Sequence, residues 1–278
     1  MADSFDKRVT PARPDLAASW LKGKVDALDY AEGEAATVIA SCASLRAEPS
    51  DDAPQDSELL FGETVAIYER ADGWAWVQAD NDRYVGYVHE DVLDDIPEAD
   101  ARVIVPAAPL LSAPDVKAPL NGLMPMGAQF TRGERIGDYI EFGEGGFVYA
   151  AHVAALDFRE PDFVSVAERF LNAPYVWGGK TASGIDCSGL IQVALQATGK
   201  ESPRDTDMME KGLGNAVALA DLKRGDLVFW KGHVGVMLDG ARLLHANAFH
   251  MMVAVEPLAE AIARIEPVAG PVTSIRRL

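Results

Sequence analysis

The sequence predicts two small all-β barrels followed by an α+β domain, and three patterns in the chain point to it. From Thr37 to about Pro97, short segments of alternating polarity are broken by turn residues, enough for about five strands. From Arg102 to Asp157 the same grammar recurs, an internal repeat of about 60 residues. After Asp157 the apolar spacing becomes helical, and strand-like runs return only at Asp226. The predicted boundaries are an N-terminal arm over 1–36, a first barrel over 37–100, a second over 101–158 and the α+β domain over 159–278.

In the arm, Thr10-Pro11-Ala12-Arg13-Pro14-Asp15 is held extended by its prolines. A short helix from Asp15 to about Leu21, capped by Asp15, is predicted next. In the first barrel, Glu63 to Arg70 alternates and Asp72-Gly73 is a hairpin turn. Trp74, Trp76 and Gln78 then share one face. Asn81-Asp82 makes a second turn before Tyr84-Val85-Gly86-Tyr87-Val88. In the second barrel, Gly127-Ala128-Gln129-Phe130 echoes Gly62-Glu63-Thr64-Val65. Gly137-Asp138-Tyr139-Ile140-Glu141-Phe142 echoes Gly73-Trp74-Ala75-Trp76-Val77, and Gly146-Phe147-Val148 echoes Gly86-Tyr87-Val88. Trp74, Trp76, Tyr84 and Tyr87 read first as barrel core or packing between domains.

In the last domain, Phe163, Val166, Ala167, Phe170 and Leu171 make an amphipathic helix starting near Pro161-Asp162. A second helix is predicted from Cys187 to Thr198, with Leu190, Ile191, Ala194 and Leu195 inward and Gly199 closing it. Strands follow at Asp226–Trp230, His233–Leu238 and Arg242–Ala246, an antiparallel sheet under the helices.

Composition narrows the function classes. Of 278 residues, 49% are hydrophobic and 24% charged, which excludes bulk disorder and a disulfide scaffold. No apolar run approaches the ~18 residues of a membrane helix, and Met1 to Arg8 lacks a secretion pattern, so a cytoplasmic location is expected. The net charge of −18 is uneven: residues 1–158 hold 29 acidic and 12 basic side chains, residues 159–278 hold 14 and 13. That argues against nucleic acid and anionic membranes as partners. The acidic half suits a substrate with a free amine, or serves only to solubilise. The two cysteines, Cys42 and Cys187, are not expected to pair. Cys42, in a strand-like stretch, reads as a small core residue.

Cys187 opens a helix between Asp186 and Ser188. Unpaired backbone N–H groups and the positive end of the helix dipole favour a thiolate there, and can also stabilise an oxyanion. A buried structural cysteine is the alternative. A cysteine nucleophile needs a base oriented by a further polar group. Of His89, His152, His233, His245 and His250, the pair His233 and His245 lies on consecutive strands. His250, five residues after His245, would face the other way on a regular strand. Cys187, His233 and His245 with Asp186 or Asp205 are also a conceivable zinc set, but no paired C-x-x-C accompanies them.

Six segments now stand in order: Tyr175-Val176-Trp177-Gly178-Gly179, Asp186-Cys187-Ser188-Gly189, Arg204-Asp205-Thr206, Arg224-Gly225-Asp226-Leu227-Val228-Phe229-Trp230, Gly232-His233-Val234-Gly235 and Leu244-His245-Ala246. Together they resemble the NlpC-type cysteine peptidases, papain-like hydrolases of bacterial cell-wall peptides, over about residues 160–265. The two barrels resemble bacterial SH3-like domains, and the whole is similar to the γ-D-glutamyl-L-diamino acid endopeptidase type. The N-terminal 36 residues match no motif of it.

The resemblance implies a papain-like catalytic domain in which Cys187 is the nucleophile, His233 the base and His245 the group orienting the base. It implies that Tyr175 lies near the oxyanion, and that Asp186, Ser188 and Thr206 contact the γ-D-glutamyl unit. No metal or organic cofactor is implied. The implied reaction is hydrolysis after γ-D-glutamyl, before meso-diaminopimelate or lysine, in a murein tripeptide or tetrapeptide, serving cell-wall recycling. The alternatives are a secreted or periplasmic hydrolase of intact wall, and a non-catalytic wall-binding module. In this architecture the first barrel is expected to close one end of the cleft and admit only a free N-terminal L-Ala. Glu58 and Tyr84 are the residues offered for its ammonium group.

One geometric condition follows from strand alternation. His233 and His245 share a face only if the turn between their strands is odd. A two-residue turn at Asp239-Gly240 would separate them. A three-residue loop, Leu238-Asp239-Gly240 with Gly240 left-handed, would set His233 opposite His245.

Overall fold

The computed structural model describes residues 5–95, 97–143 and 145–278. It divides into two compact units, Met1–Leu156 and Asp157–Leu278. The first is built of strands with only short 3-10 turns, the second combines four α-helices with a six-stranded sheet, and no helix among the described residues is long and apolar enough to cross a membrane.

The arm departs from the sequence expectation. Leu16–Ala18 is a strand (β1) paired in parallel with Asp29–Ala31 (β2), and Ser19–Leu21 is a single 3-10 turn rather than part of a helix. The stretch has work to do outside itself. Ala18 and Leu21 pack on Tyr68 and Trp76, and the Arg13 guanidinium lies 4.4 Å over the Trp76 ring. Trp76, large and facing away from the barrel core, is thereby covered, and tertiary packing overrides local helix preference.

The first barrel is one sheet of seven strands: β3 (Glu34–Val38), β4 (Cys42–Arg46), β5 (Gln55–Leu60), β6 (Thr64–Ala71), β7 (Trp74–Ala79), β8 (Val85–His89) and β9 (Leu93–Asp94). Their order is β5-β4-β8-β7-β6-β3-β9, all antiparallel. Asp72 and Gly73, at φ 52° and 82°, form the tight turn that their sequence signalled. Val38, Leu45, Leu59, Val65, Ile67, Val77, Tyr84 and Val88 fill the core. Cys42 is not in it. The cysteine is exposed, because its neighbours Ala43 and Leu45 take the inward positions of β4.

The following strands repeat the pairing scheme: β10 (Ala101–Val103), β11 (Ala107–Leu111), β12 (Leu120–Pro125), β13 (Gln129–Phe130), β14 (Arg132–Ile136), β15 (Tyr139–Phe142), β16 (Gly146–Tyr149) and β17 (Val153–Ala155). The β11–β12 hairpin answers β4–β5, and β14–β15–β16 answers β6–β7–β8. Leu111 meets Phe147 as Arg46 meets Tyr87. The 3-10 turn at Ala150–His152 answers the one at Glu90–Val92. The difference is a break between β13 and β14, which splits this copy into a three-stranded and a five-stranded sheet. Phe130 stacked on Phe142 at 4.0 Å centres its core.

The second unit opens with α1 (Phe163–Glu168), capped by Asp162 accepting from the Val164 N–H. It is shorter than its apolar spacing predicts, and Leu171 is 47% exposed. A small hairpin, β18 (Lys180–Thr181) and β19 (Gly184–Ile185), leads into α2 (Cys187–Ala197), which ends at Gly199 with φ 78°. Then come α3 (Thr206–Gly212), β20 (Asn215–Ala216), β21 (Leu227–Trp230), β22 (His233–Met237), β23 (Arg242–Asn247), β24 (Met252–Pro257), α4 (Leu258–Ala269) and β25 (Ser274–Arg277). The sheet order is β20-β25-β21-β22-β23-β24, all antiparallel. Helix α2 packs on β22 and β23, and α4 on β23 and β24. Val228, Trp230, Met237 and Leu243 join Leu258, Ala261 and Ile265 of α4 in one core.

Candidate active site

Cys187 is the first residue of α2, 6% exposed, and its sulfur accepts the backbone N–H groups of Ser188 and Val234. Val234 follows His233, so the sheet delivers the imidazole beside the helix start. The thiol, however, is not the pre-formed thiolate that a helix start alone would favour. Burial pushes it up to about 12, with the Asp186 charge adding to the rise. Asp186 is the N-cap and places a full negative charge where the helix dipole is positive.

Asp186 is committed on both oxygens. It accepts from the Gly189 N–H at 2.7 Å, the Gly178 N–H at 2.8 Å, the Ser188 hydroxyl, and both terminal nitrogens of Arg204 at 2.7 and 3.1 Å. Gly178 reaches it with φ 77°, a conformation glycine supplies without strain. Arg204 is 1% exposed and also donates to the Ser188 oxygen at 2.8 Å. Sequence reasoning quoted Arg204 only as part of a motif and did not place it in the site. Burial, with Cys187 and Asp186 nearby, pushes the Tyr175 phenol well above its usual range. Thr206 begins α3, two residues after Arg204.

The histidines meet. His233 Nε2 and His245 Nδ1 are 2.8 Å apart. The turn between their strands has three residues, Asp239-Gly240-Ala241, with the Leu238 N–H bonded to the Arg242 carbonyl. It lies one residue later than the sequence reading placed it. Gly240 is not left-handed; instead the Asp239 carboxylate closes the turn by accepting from the Ala241 and Arg242 N–H groups. Met237 therefore pairs with Leu243 and Val236 with Leu244, and that register, carried one residue further, turns Gly235, not His233, toward His245. The two histidines share a face diagonally.

Two residues that sequence reasoning missed extend this chain. Glu256 Oε1 lies 2.7 Å from His245 Nε2 and also accepts from Arg264. In the register of β23 on β24, Ala254 faces His245 and Glu256 faces Leu243, so Glu256 is diagonal to His245 on the same side of the sheet. Arg264 comes from α4 and stacks on Phe249 at 4.3 Å. His250 also belongs here. The strand ends at Asn247, and a turn brings the ring back, so that ligand-type atoms of His245, His250 and Glu256 lie within 4.8 Å of one another. Among the described residues, that is where such atoms converge, rather than at the Cys187, His233 and His245 set weighed for zinc. Arg264 already supplies positive charge there. Burial holds both His233 and His245 well below the ordinary histidine range; the other imidazole adds to this for His233, and Arg264 for His245.

The amine-binding residues fare differently. Tyr84 is 5% exposed within the first barrel's core, which corrects its assignment as a substrate contact. Glu58 is half-buried on β5, opposite Ser44.

A buried thiol, a neutral imidazole and a polar group behind it make up the apparatus of acyl transfer through a thioester. Comparison with known proteins agrees with that class. Residues 172–266 match the NlpC/P60 family, and residues 45–93 match the bacterial dipeptidyl-peptidase Sh3 domain. The chain therefore carries an NlpC/P60 cysteine peptidase domain behind an SH3-like domain. Over 237 residues it is 29% identical to dipeptidyl-peptidase 6 of Lysinibacillus sphaericus, covering 76% of this chain and 87% of that protein. Over 109 residues it is 36% identical to the γ-D-glutamyl-L-lysine dipeptidyl-peptidase of Bacillus subtilis, covering 36% of each. The crystal structure of an NlpC/P60 family protein from Bacillus cereus shares the fold, with a TM-score of 0.75 at 19% identity over 88% of this chain and 99% of that one.

Proposed function

We propose that this protein hydrolyses the amide bond between a γ-D-glutamyl residue and a diamino acid, meso-diaminopimelate or lysine, in short murein stem peptides. The observation that carries the reading is the Cys187 sulfur held at the start of α2 by the N–H of Val234, beside a His233 ring already bonded to His245. His233 uses its free nitrogen, Nδ1, to take the thiol proton as sulfur attacks the γ-carbonyl carbon. The tetrahedral oxyanion is stabilised by backbone N–H groups at the helix start and by Tyr175. His233 gives the proton to the departing amine, leaving a thioester on Cys187. Water then attacks the thioester with His233 again as base, which releases the γ-D-glutamyl acid and restores the thiol.

Ser188 and Thr206 are the groups for the γ-D-glutamyl unit, with Asp186 acting through the Arg204 and Ser188 it holds. The acidic N-terminal half favours a peptide with a free N-terminal amine, for which Glu58 remains the candidate carboxylate. A substrate of that kind, a tripeptide or tetrapeptide already released from the wall, belongs to cytoplasmic recycling.

Mass spectrometry of a free L-Ala-γ-D-Glu-diamino acid tripeptide, its N-acetyl form and intact murein, each incubated with the protein, tests the reading. The free tripeptide is expected to be cut to L-Ala-D-Glu and the diamino acid, the acetylated form far more slowly. Cleavage of murein alone overturns the recycling role, and equal rates on free and acetylated peptides overturn amine recognition. Cys187→Ala and Cys187→Ser are expected to abolish turnover, and Cys42→Ala to leave it nearly unchanged. Turnover by Cys187→Ala overturns the cysteine mechanism.

A further inference from the structure

Nothing in a His–His contact says which way its protons run. Each ring carries one proton when neutral, and either nitrogen can hold it. The chain from His233 through His245 to Glu256 removes the ambiguity from its far end. A carboxylate only accepts, so His245 Nε2, 2.7 Å from Glu256 Oε1, carries the proton. The neutral ring then has a bare Nδ1, which can only accept from His233 Nε2 at 2.8 Å. His233 in turn has its proton on Nε2 and a bare Nδ1. The first proton choice is made at Glu256, two rings away from the base.

Arg264 makes that choice firm. It donates to the same Glu256 oxygen as His245 and is itself stacked on Phe249. The charges around the His245 ring are thus the carboxylate on β24, the guanidinium on α4, and the imidazoles of His233 and His250. We propose that Glu256, held by Arg264, is a positioning residue that fixes the tautomers of both histidines and so leaves His233 Nδ1 free to act as the base. This rests on the peptidase reading for its consequence, but not for its geometry.

The test is imidazole nitrogen NMR on the full chain, alongside kinetics. In the wild-type protein both rings are expected as the Nε2–H tautomer; a proton on His245 Nδ1 overturns the proposal without any variant. Glu256→Gln keeps an acceptor oxygen and is expected to retain the tautomers and most of the activity. Glu256→Leu has no acceptor and is expected to mix or reverse them, with kcat down at least about tenfold and KM within about twofold. Unchanged tautomers and kcat in a folded Glu256→Leu overturn it. Wild-type protein that shows the Nε2–H tautomers but cuts no murein peptide overturns the peptidase reading and leaves this one standing.

Discussion

Gly235 packs against His245 across the β22–β23 hairpin, one residue beyond the Val236–Leu244 pair, and a methyl group at position 235 would come within 3.1 Å of the His245 Cβ and 2.8 Å of Leu243. The absent side chain is what lets the His233 and His245 rings meet diagonally. Gly235→Val is therefore expected to separate the rings and lower kcat by about a hundredfold. Gly240, in the loop of the same hairpin, meets no atom closer than 3.5 Å and has an ordinary φ. Gly240→Ala is expected to keep wild-type turnover. Equal effects of the two substitutions would remove the steric argument.

The resting state of the nucleophile is a second expectation. With burial and Asp186 holding the Cys187 thiol up to about 12, and burial keeping His233 neutral, the pair rests uncharged and the proton moves only during attack. In the Cys42→Ala background, iodoacetamide labelling of Cys187 is expected to be slow at pH 7, with no inflection between pH 5 and 8. A labelling rate that rises through an inflection below pH 7 would show an ion pair and refute this.

The parts legible in the sequence were those whose signal is local. Turn residues such as Asp72-Gly73 and the spaced echoes of Gly62 and Gly127 marked the repeat, because turns demand particular backbone conformations. The ordered motifs around Cys187, His233 and His245 marked the core of the site. Glu256 and Arg264 carried no such mark. β24 reads Met-Val-Ala-Val before Glu256, nearly unbroken apolar with no period of two, and α4 contains Pro267, which argues against a helix on sequence grounds. Their role exists only through register. Tyr84 lies in the barrel core, as its strand pattern first suggested, and only its second reading as a substrate contact fails; the stretch from Asp15 to Leu21 departs from the expected helix because packing over Trp76 decided its place, and that cover is not a local property.

Asp186 and Arg204 form a buried ion pair, 8% and 1% exposed at the side chain. Removing one partner leaves the other charged and out of water. Arg204→Met and Asp186→Ala are each expected to cost about 3–5 kcal/mol. The double variant is expected to cost clearly less than the sum of the two, since no lone buried charge remains. Thermal or chemical unfolding of the four proteins measures this cycle, and strict additivity would mean that the pair is not coupled.

The histidines also set an acid limit on stability. Folding lowers the pKa of both His233 and His245 because burial disfavours their charged forms. Below the unfolded value near 6.5 the unfolded chain takes up protons that the folded chain refuses. Stability therefore falls as pH drops, with each ring contributing up to about 1.4 kcal/mol per pH unit. Above pH 7 both states are neutral and the dependence vanishes. Carboxylates such as Asp226, held low by Arg277 and the Lys223 N–H against the opposing effect of burial, act in a separate window at lower pH. Native-state hydrogen exchange of the β22 and β23 amides, corrected for intrinsic rates, is expected to show protection falling steadily from pH 6.5 to 5. The His233→Gln/His245→Gln double variant is expected to be nearly flat over that range. Wild-type protection that does not change between pH 6.5 and 5 would mean the rings accept protons in place, and the neutral chain from His233 to Glu256 would not be the folded state.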